Sequence, residues 1–438
     1  MTLSVDSPVP SLCTAQVGPP HAVESHLLEQ APAIEAWLRD QWRSTPAPFY
    51  SSVDVRNANF KIAPVDTNLF PAGFNNLNPA FKALCVQALQ AALERYPQCI
   101  RRVLLVPENH TRNLLYFESV ATLVDLLEAS GCEVRVASFS NELELPLTVE
   151  APSGRRVRIE GIERHGDRLR VGNFEPCLVL LNNDLSGGRP PILEGLAQYL
   201  TPALELGWSN RLKSTHFRHY LSVAQGLAAH IGMDPWLIDP LFRNCGEVDF
   251  LKSHGLDCLQ TNVAGLINEI AAKYREYGIE REPFVFIKAD AGTYGMGVMT
   301  ARSPDDVLEL NRKQRTRMAA TKEGQPIRNV IIQEGVYTVE RWGAEQASAE
   351  PVVYLIDHHV VGGFYRVHTE RSASENLNAP GMRFEPLAFA DACNCPDPDA
   401  GAEARINRFY VYGVIGRLAA LAAAREAAAL APVARADS

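Results

Sequence analysis

The chain has 438 residues, 46 % of them hydrophobic and 21 % charged, which is material for about two or three domains with ample cores. A net charge of -9 counts against a protein whose main task is gripping a nucleic-acid backbone, although a local basic cleft stays compatible with it. The nine cysteines show no paired spacing and suit a reducing cytoplasm; Cys393 and Cys395 form a C-x-C with no second pair to complete a zinc site, and no basic segment followed by an apolar run opens the chain as a secretory signal would.

Residues 1–25, rich in Pro, Ser and Val, are expected to be a loose arm. Ile34, Trp37, Leu38 and Trp42 then share one face of an amphipathic helix that stops before Pro46. From Ser51 to Asn78 no helical period is visible, and Asp54, Arg56, Asn57, Asp66, Asn68, Asn75 and Asn76 interleave with Phe60, Leu69, Phe70 and Phe74. Such a stretch is either a substrate-recognition loop or a structural loop whose asparagines satisfy their own turns. Asn78-Pro79 caps a helix to Arg95. Arg102–Val106, Thr111–Ser130 and Glu133–Phe139 read as strand, helix and strand, a βαβ unit whose first strand ends in Pro107 to Asn113. Ligands gather at the carboxyl ends of such strands, which puts His110 and Arg112 within reach of a site. Short strands alternate between Leu143 and Val171, and Cys177–Leu181 is a further buried strand with a polar end, Asn182 to Gly188.

Arg211 and Lys213 precede a helix that runs to Ile231. Cations there oppose the helix dipole, so a bound phosphate or a carboxylate should sit beside them. His216 and His219 lack a third ligand and read as packing and surface. Helical pattern is expected onward to Gly278, a plausible C-cap. Next comes FVFIKADAGTYGMG, in which an apolar strand delivers Lys288 to a loop carrying Gly292, Gly295 and Gly297. A second short strand, Val298–Ala301, follows the loop before a helix start at Ser303-Pro304, so the glycines sit on a hairpin flap suited to a nucleotide phosphate and not on a helix-capped cradle. Asn329–Gln333 is a strand whose end, Gln333-Glu334-Gly335-Val336, has the polar and apolar mixture that an adenine edge needs. Glu350–Asp357 and Val360–Val367 form a hairpin with Arg366 near its end, and Glu375, Asn376 and Asn378 follow in a loop, as hard oxygen ligands for Mg²⁺ or as an Asx-rich turn. The alanine-rich Gly416–Ala431 contains Arg417, Arg425 and Glu426 and reads as a helix that does not span a membrane.

The order Lys213, Lys288, glycine flap, Gln333-Glu334-Gly335-Val336, Arg366 and Glu375-Asn376-Leu377-Asn378 resembles the ATP-grasp superfamily over residues 206–390. More narrowly, VDTNLFPAGFNNL, PENHTRN, IIQEGV, EPVVYLID and ENLNAPGM resemble a small bacterial family of glutamate–cysteine ligases over residues 50–425. The resemblance implies a mixed α/β and α+β chain: an N-terminal arm and helix in residues 1–45, a pre-ATP-grasp α/β domain with the recognition loop in 46–205, an ATP-grasp domain in 206–430 and a tail in 431–438. It implies ATP and Mg²⁺ as cofactors and L-glutamate and L-cysteine as substrates in the first step of glutathione biosynthesis, with no nucleic-acid or membrane partner. A homo-oligomer is compatible with it.

In such an enzyme ATP phosphorylates the γ-carboxylate of glutamate and the amine of cysteine attacks the acyl phosphate. Carried onto this sequence, Lys288 and Arg366 are catalytic, and Lys213, Lys288, Gly292, Gly295, Gly297, Gln333, Glu334 and Val336 hold ATP. Arg56, Asn68, Asn75 and Arg112 take the amino acids. ATP-grasp enzymes commonly end with a strand carrying Glu-x-Asn after a helix, and none follows the alanine-rich helix here, so Glu350, Asp357, Glu375, Asn376 and Asn378 are the metal candidates. The rival readings are another ATP-dependent carboxylate–amine ligase, a nucleotide-binding regulator without turnover, and a kinase with a similar lysine and flap.

Overall fold

The computed structural model describes residues 14–16, 19–109, 113–140, 143–292, 298–310, 312–319, 327–387 and 408–430. Helices α1 (Ala22–Glu29) and α2 (Ala31–Ser44) precede strands β1 (Tyr50–Asn57) and β2 (Ile62–Asn68). Helix α3 (Lys82–Glu94) leads to β3 (Arg102–Pro107), α4 (Leu114–Ala129), β4 (Glu133–Ser138), β5 (Leu147–Glu150), β6 (Arg156–Gly161), β7 (Glu163–His165), β8 (Arg168–Arg170), β9 (Leu178–Asn182) and β10 (Tyr199–Thr201). Then come α5 (Lys213–Ile231), β11 (Phe242–Cys245), α6 (Leu256–Glu276), β12 (Val285–Ala289), β13 (Val298–Ala301), α7 (Arg312–Ala319) and β14 (Val330–Glu334). Strands β15 (Arg341–Trp342), β16 (Ala347–Ile356), β17 (His359–His368) and β18 (Arg383–Pro386) and helix α8 (Phe409–Leu430) complete the order.

Three sheets carry the architecture. The first, β10-β9-β3-β4-β6-β5, is parallel except where β5 meets β6. Its central strands are continuous apolar runs, Val103–Val106 and Leu178–Leu181, as expected for strands covered on both faces. The second, β11-β14-β12-β13, is antiparallel and contains the flap hairpin, with Lys288 opposite Val298. The third, β18-β17-β16-β1-β2 with β15 beside β16, is also antiparallel.

The third sheet is amphipathic across its thickness because successive side chains alternate faces. Val53, Val55, Val353, Leu355 and Val367 point to one side and pack on Val411, Val414, Ile415 and Leu418 of α8. Each fully buried side chain of this kind contributes about 1.5–3 kcal/mol. The small residues of α8 let it lie close: a Cβ on Gly416 would sit 3.0 Å from Val353 Cγ1. The opposite face carries polar residues and forms the floor of the cavity described below.

Several expectations need correction. Residues 51–78 are not an irregular loop; β1 and β2 form a hairpin, and only the segment around the single turn Phe74–Asn76 is irregular. Strand β1 pairs with β16, so strand pairing crosses the boundary placed at residues 205/206. The first helix begins at Ala22, inside the expected loose arm. The helical run expected from Lys213 to Gly278 is broken by β11, which completes the edge of the flap sheet. Ser303 caps only one short turn, Pro304–Val307, through its reciprocal bonds with Asp306.

Candidate functional site

A cavity of about 560 Å³ lies where the three sheets meet. Its floor is the polar face of the third sheet: Ser52, Asp54 and Arg56 from β1, Asp66 and Asn68 from β2, Glu350 and Tyr354 from β16, and Arg366 from β17. Phe286, Lys288, Gly292 and Val298 of the flap hairpin form one wall. Glu108, Asn113, Tyr116, Asn182 and Asp184, at and beyond the carboxyl ends of β3 and β9, form another. Trp208 and Lys213 close the space between them.

The floor is a buried charge network. Arg366 Nη1 donates to Asp54 Oδ2 at 2.8 Å and to Glu350 Oε1 at 2.6 Å, and Nη2 donates to Asp54 Oδ1 at 3.2 Å. Arg56 Nε donates to the other Glu350 oxygen at 2.8 Å. Burial works to raise the Glu350 carboxyl, but Arg56 and Arg366 outweigh it and hold it below the usual range. For Asp54 burial prevails over Arg366, and with repulsion from Glu350 and Asp66 the carboxyl lies above the usual range. Arg366 Nε is buried and has no hydrogen-bond partner among the described residues.

The two lysines meet at β2. The register steps from Asp54 opposite Asp66 to Val55 opposite Pro64, so Val65 is the extra residue of a β-bulge. Its carbonyl accepts from Lys288 Nζ at 2.8 Å, and Gln333 Oε1 accepts from the same ammonium at 2.6 Å. Lys213 Nζ lies 3.3 Å from Asp66 Oδ1 and 3.8 Å from the centre of the Trp208 ring. Burial, reinforced by Lys213 and Arg56, brings the Lys288 ammonium down to about 8 against the pull of Asp66 and Asp54. Burial would raise Asp66, yet Lys213, Lys288 and Arg211 hold it at about 2.

Asp290 explains how the lysines come together. It follows Lys288 by two residues, and its carboxylate accepts from the Ser214 N–H at 2.7 Å and the Ser214 hydroxyl at 2.7 Å, while its carbonyl accepts from the Lys213 N–H at 2.8 Å. The negative charge expected beside Arg211 and Lys213 is therefore supplied by carboxylates of the chain itself: Asp290, Asp66 and Glu426.

Lys288, Arg366, Lys213, Gly292, Arg56, Asn68, Asn75, Glu350, Asn376 and Asn378 thus line one cavity. Arg56 spends its donors on Glu350 and on the carbonyls of Val336, Ala373 and Glu375, which leaves little of a carboxylate clamp. Glu334 is buried and accepts from Lys61 Nζ at 2.7 Å, Trp236 Nε1 at 3.2 Å and the Leu241 N–H at 2.9 Å, so its carboxylate does not face the cavity. Gln333 and Val336 are buried as well, and the Val336 carbonyl is taken by Arg56. Asp357 lies past the far end of β16, bonded to Arg95 and His358. Glu375 accepts from Arg371 and the Ser372 N–H and borders a separate cavity of about 440 Å³ behind β13. His110, Arg112, Gly295, Gly297, Cys393 and Cys395 fall outside the described residues.

Sequence reasoning passed over Asp54 and Asp66 as ligands, placed Glu108 and Asp184 only within polar strand ends, and gave Asp290 no role. The alternation Ser52-Val53-Asp54-Val55-Arg56 was the available signal for a strand with one polar face.

A parallel unit leading into two antiparallel sheets, with a lysine-bearing hairpin above a charged floor, is a mixed α/β architecture of the kind that the resemblance to ATP-grasp ligases implies. A family profile described as glutamate-cysteine ligase matches residues 24–427. A solved structure from Methylobacillus flagellatus KT, provisionally named a gamma-glutamylcysteine synthetase, is 53 % identical, with a TM-score of 0.84 over 96 % of this chain and 99 % of that one. The D-alanyl-alanine synthetase A of Vibrio cholerae O1 biovar eltor str. N16961 aligns over 73 % of this chain and 82 % of its own at 9 % identity and a TM-score of 0.32, too low to inform the fold. No curated protein matches. The chain belongs to the glutamate–cysteine ligase family.

Proposed function

We infer that the cavity between the three sheets is where this ligase joins the γ-carboxylate of L-glutamate to the amine of L-cysteine at the expense of ATP. The observation that carries the assignment of the site is the meeting of Lys288, Lys213 and the flap hairpin with the Arg366–Asp54–Glu350 floor in one cavity. The chemical obstacle is electrostatic: a carboxylate must approach a polyanion before it can be phosphorylated. Lys288 and Lys213 face the transferring phosphoryl group and neutralise charge where it develops, which is how phosphoryl transfer is accelerated. Arg366 faces the carboxylate of the amino-acid substrate while its other donors keep it rigid. Glu108 and Asp184, across the cavity, suit the ammonium groups that both amino acids carry.

The cavity is lined by five carboxylates and four cations, an excess of negative charge in a site for anionic substrates. Asp54 and Asp66 stand directly opposite one another on neighbouring strands, a like-charge pairing that is unfavourable by itself. With Asn68, one turn of the pleat beyond Asp66, they offer the hard oxygen donors that Mg²⁺ prefers. Asn68 Oδ1 already accepts from the Phe70 N–H and retains a second lone pair. We assign the metal to Asp54, Asp66 and Asn68 in place of Asp357 and Glu375; Asn376 and Asn378 face them across the cavity. A divalent cation there would screen the phosphate oxygens from the acidic floor. Asp66-Thr67-Asn68 is an acid-x-Asn strand carried by the hairpin of β1 and β2.

Among the described residues no helix is long and apolar enough to cross a membrane, and the six described cysteines are all free; both fit a cytoplasmic enzyme working on small molecules. The test is ADP release with Mg²⁺, ATP and L-glutamate, with and without L-cysteine, beside Lys288→Ala. Release that needs both amino acids and is lost in the variant is expected. Release that persists in Lys288→Ala would move the chemistry out of this cavity.

A further inference from the structure

Behind the cavity floor lies a second charged cluster that the reaction does not use. Asp66 and Asn68 face the cavity, so Thr67 between them faces the opposite way, toward α5 and α8. There Arg211 Nη1 donates to the Thr67 carbonyl at 2.8 Å, and His216 Nε2 lies 3.0 Å from the Thr67 hydroxyl. Both are held by Glu426 of α8, which accepts from Arg211 Nε at 3.0 Å and Nη2 at 3.0 Å and lies 3.3 Å from His216 Nδ1. All four residues are at most 3 % exposed. Burial opposes the charge on Glu426, yet Arg211 and His216 keep it ionised.

A buried ionic cluster is poor value as a source of stability, because apolar residues of similar volume would do at least as well. Its worth lies in direction. Bonds to both the carbonyl and the side chain of Thr67 fix the rotation of β2 about its own axis, and that rotation aims Asp66 and Asn68. The same Arg211 guanidinium lies 5.1 Å from the centre of the Trp208 ring, on which Lys213 rests. We propose that Glu426, Arg211 and His216 form a positioning brace that orients the metal-facing residues of β2, so that the C-terminal helix belongs to the working site although it touches no substrate. The proposal rests on the assignment of Asp66 and Asn68 to the metal.

The experiment measures the free Mg²⁺ concentration for half-maximal ligase activity, with kcat at saturating Mg²⁺ and thermal midpoint alongside. Residues that orient metal ligands typically alter affinity by about 10–100-fold, so Glu426→Gln is expected to raise the half-maximal Mg²⁺ by about tenfold or more. Thr67→Val, which keeps the shape and loses the hydroxyl, should raise it by a smaller factor, and Thr67→Ser should restore it. A fall in melting temperature and kcat with unchanged Mg²⁺ dependence in Glu426→Gln and Thr67→Val would overturn the brace and leave a purely structural cluster. If Glu426→Gln does not fold, the Thr67 pair decides by the same criterion. Asp66→Asn separates the two levels: unchanged Mg²⁺ dependence there removes the metal assignment itself, whereas a shift there with none in the brace variants removes only the brace.

Discussion

Arg366→Met probes the charge network of the cavity floor. Arg366 is 8 % exposed and bonds two carboxylates, with Nη1 2.8 Å from Asp54 and 2.6 Å from Glu350. Methionine fills much of the same path without charge, so the variant leaves Asp54 unpaired and Glu350 dependent on Arg56 alone. Removing one partner of a buried pair costs about 3–5 kcal/mol, and with one of the two acids still held we expect a loss near the middle of that range. The pH dependence has a definite sign. In the native protein Glu350 lies below its usual range, so its contribution is present above the unfolded carboxyl value and is lost as pH falls. In the variant both carboxyls move up, the folded state binds protons that the unfolded state does not, and stability is regained as pH is lowered. Asp54, already raised by burial, takes the first proton. Denaturant unfolding of both proteins across neutral to mildly acidic pH reads the difference directly, and Asp54→Asn in the variant background should recover part of it. A loss below about 1 kcal/mol, the range of exposed ion pairs, or a loss independent of pH would refute the reasoning.

Other consequences are open to simpler measurements. A Cβ on Gly335 would lie 2.2 Å from the Phe284 ring, so Gly335→Ala should lose about 1–3 kcal/mol by overpacking, with Phe284→Leu compensating in a double-mutant cycle; additive losses would contradict the clash. Lys288 titrates at about 8, so kcat/KM for ATP should fall as pH rises through that value, and in Lys288→Arg the limb should move upward; a native profile flat up to pH about 10, the usual lysine value, would mean that the ammonium charge is not used. Chelation should abolish turnover and leave the melting temperature of the protein without substrates nearly unchanged, because Arg366 and Lys213 already balance Asp54 and Asp66. A chelator-induced drop of many degrees would point instead to a structural metal.

Much of this was legible in the sequence because the information is local. The apolar run before Lys288, the glycines and the short returning strand predict the flap hairpin, and β12 and β13 pair as that pattern requires. The βαβ unit of β3, α4 and β4 follows from periodicity and a capping asparagine, Asn113, whose side chain accepts from the Tyr116 N–H. The alanine-rich helix was equally plain, although its start at Phe409 and the burial of most of its length were not.

What the sequence left open is what depends on neighbours distant along the chain. The polar residues of β1 and β2 read as a loop because their apolar partners, β16 and α8, lie some three hundred positions away or more. Asp66, Thr67 and Asn68 enter the third sheet on β2, far along the chain from the hairpin of β16 and β17 with which they share it. Composition and spacing singled out Glu334, Asp357 and Glu375 and passed over Asp54 and Asp66 as ligands, since a carboxylate looks the same in a sequence wherever it points. The sequence alone indicated the family and the strand pair that carries Lys288. Only the tertiary structure decided which acids meet that lysine, because strand pairing and the two-residue alternation of faces select which side chains enter the cavity and which are spent on partners elsewhere.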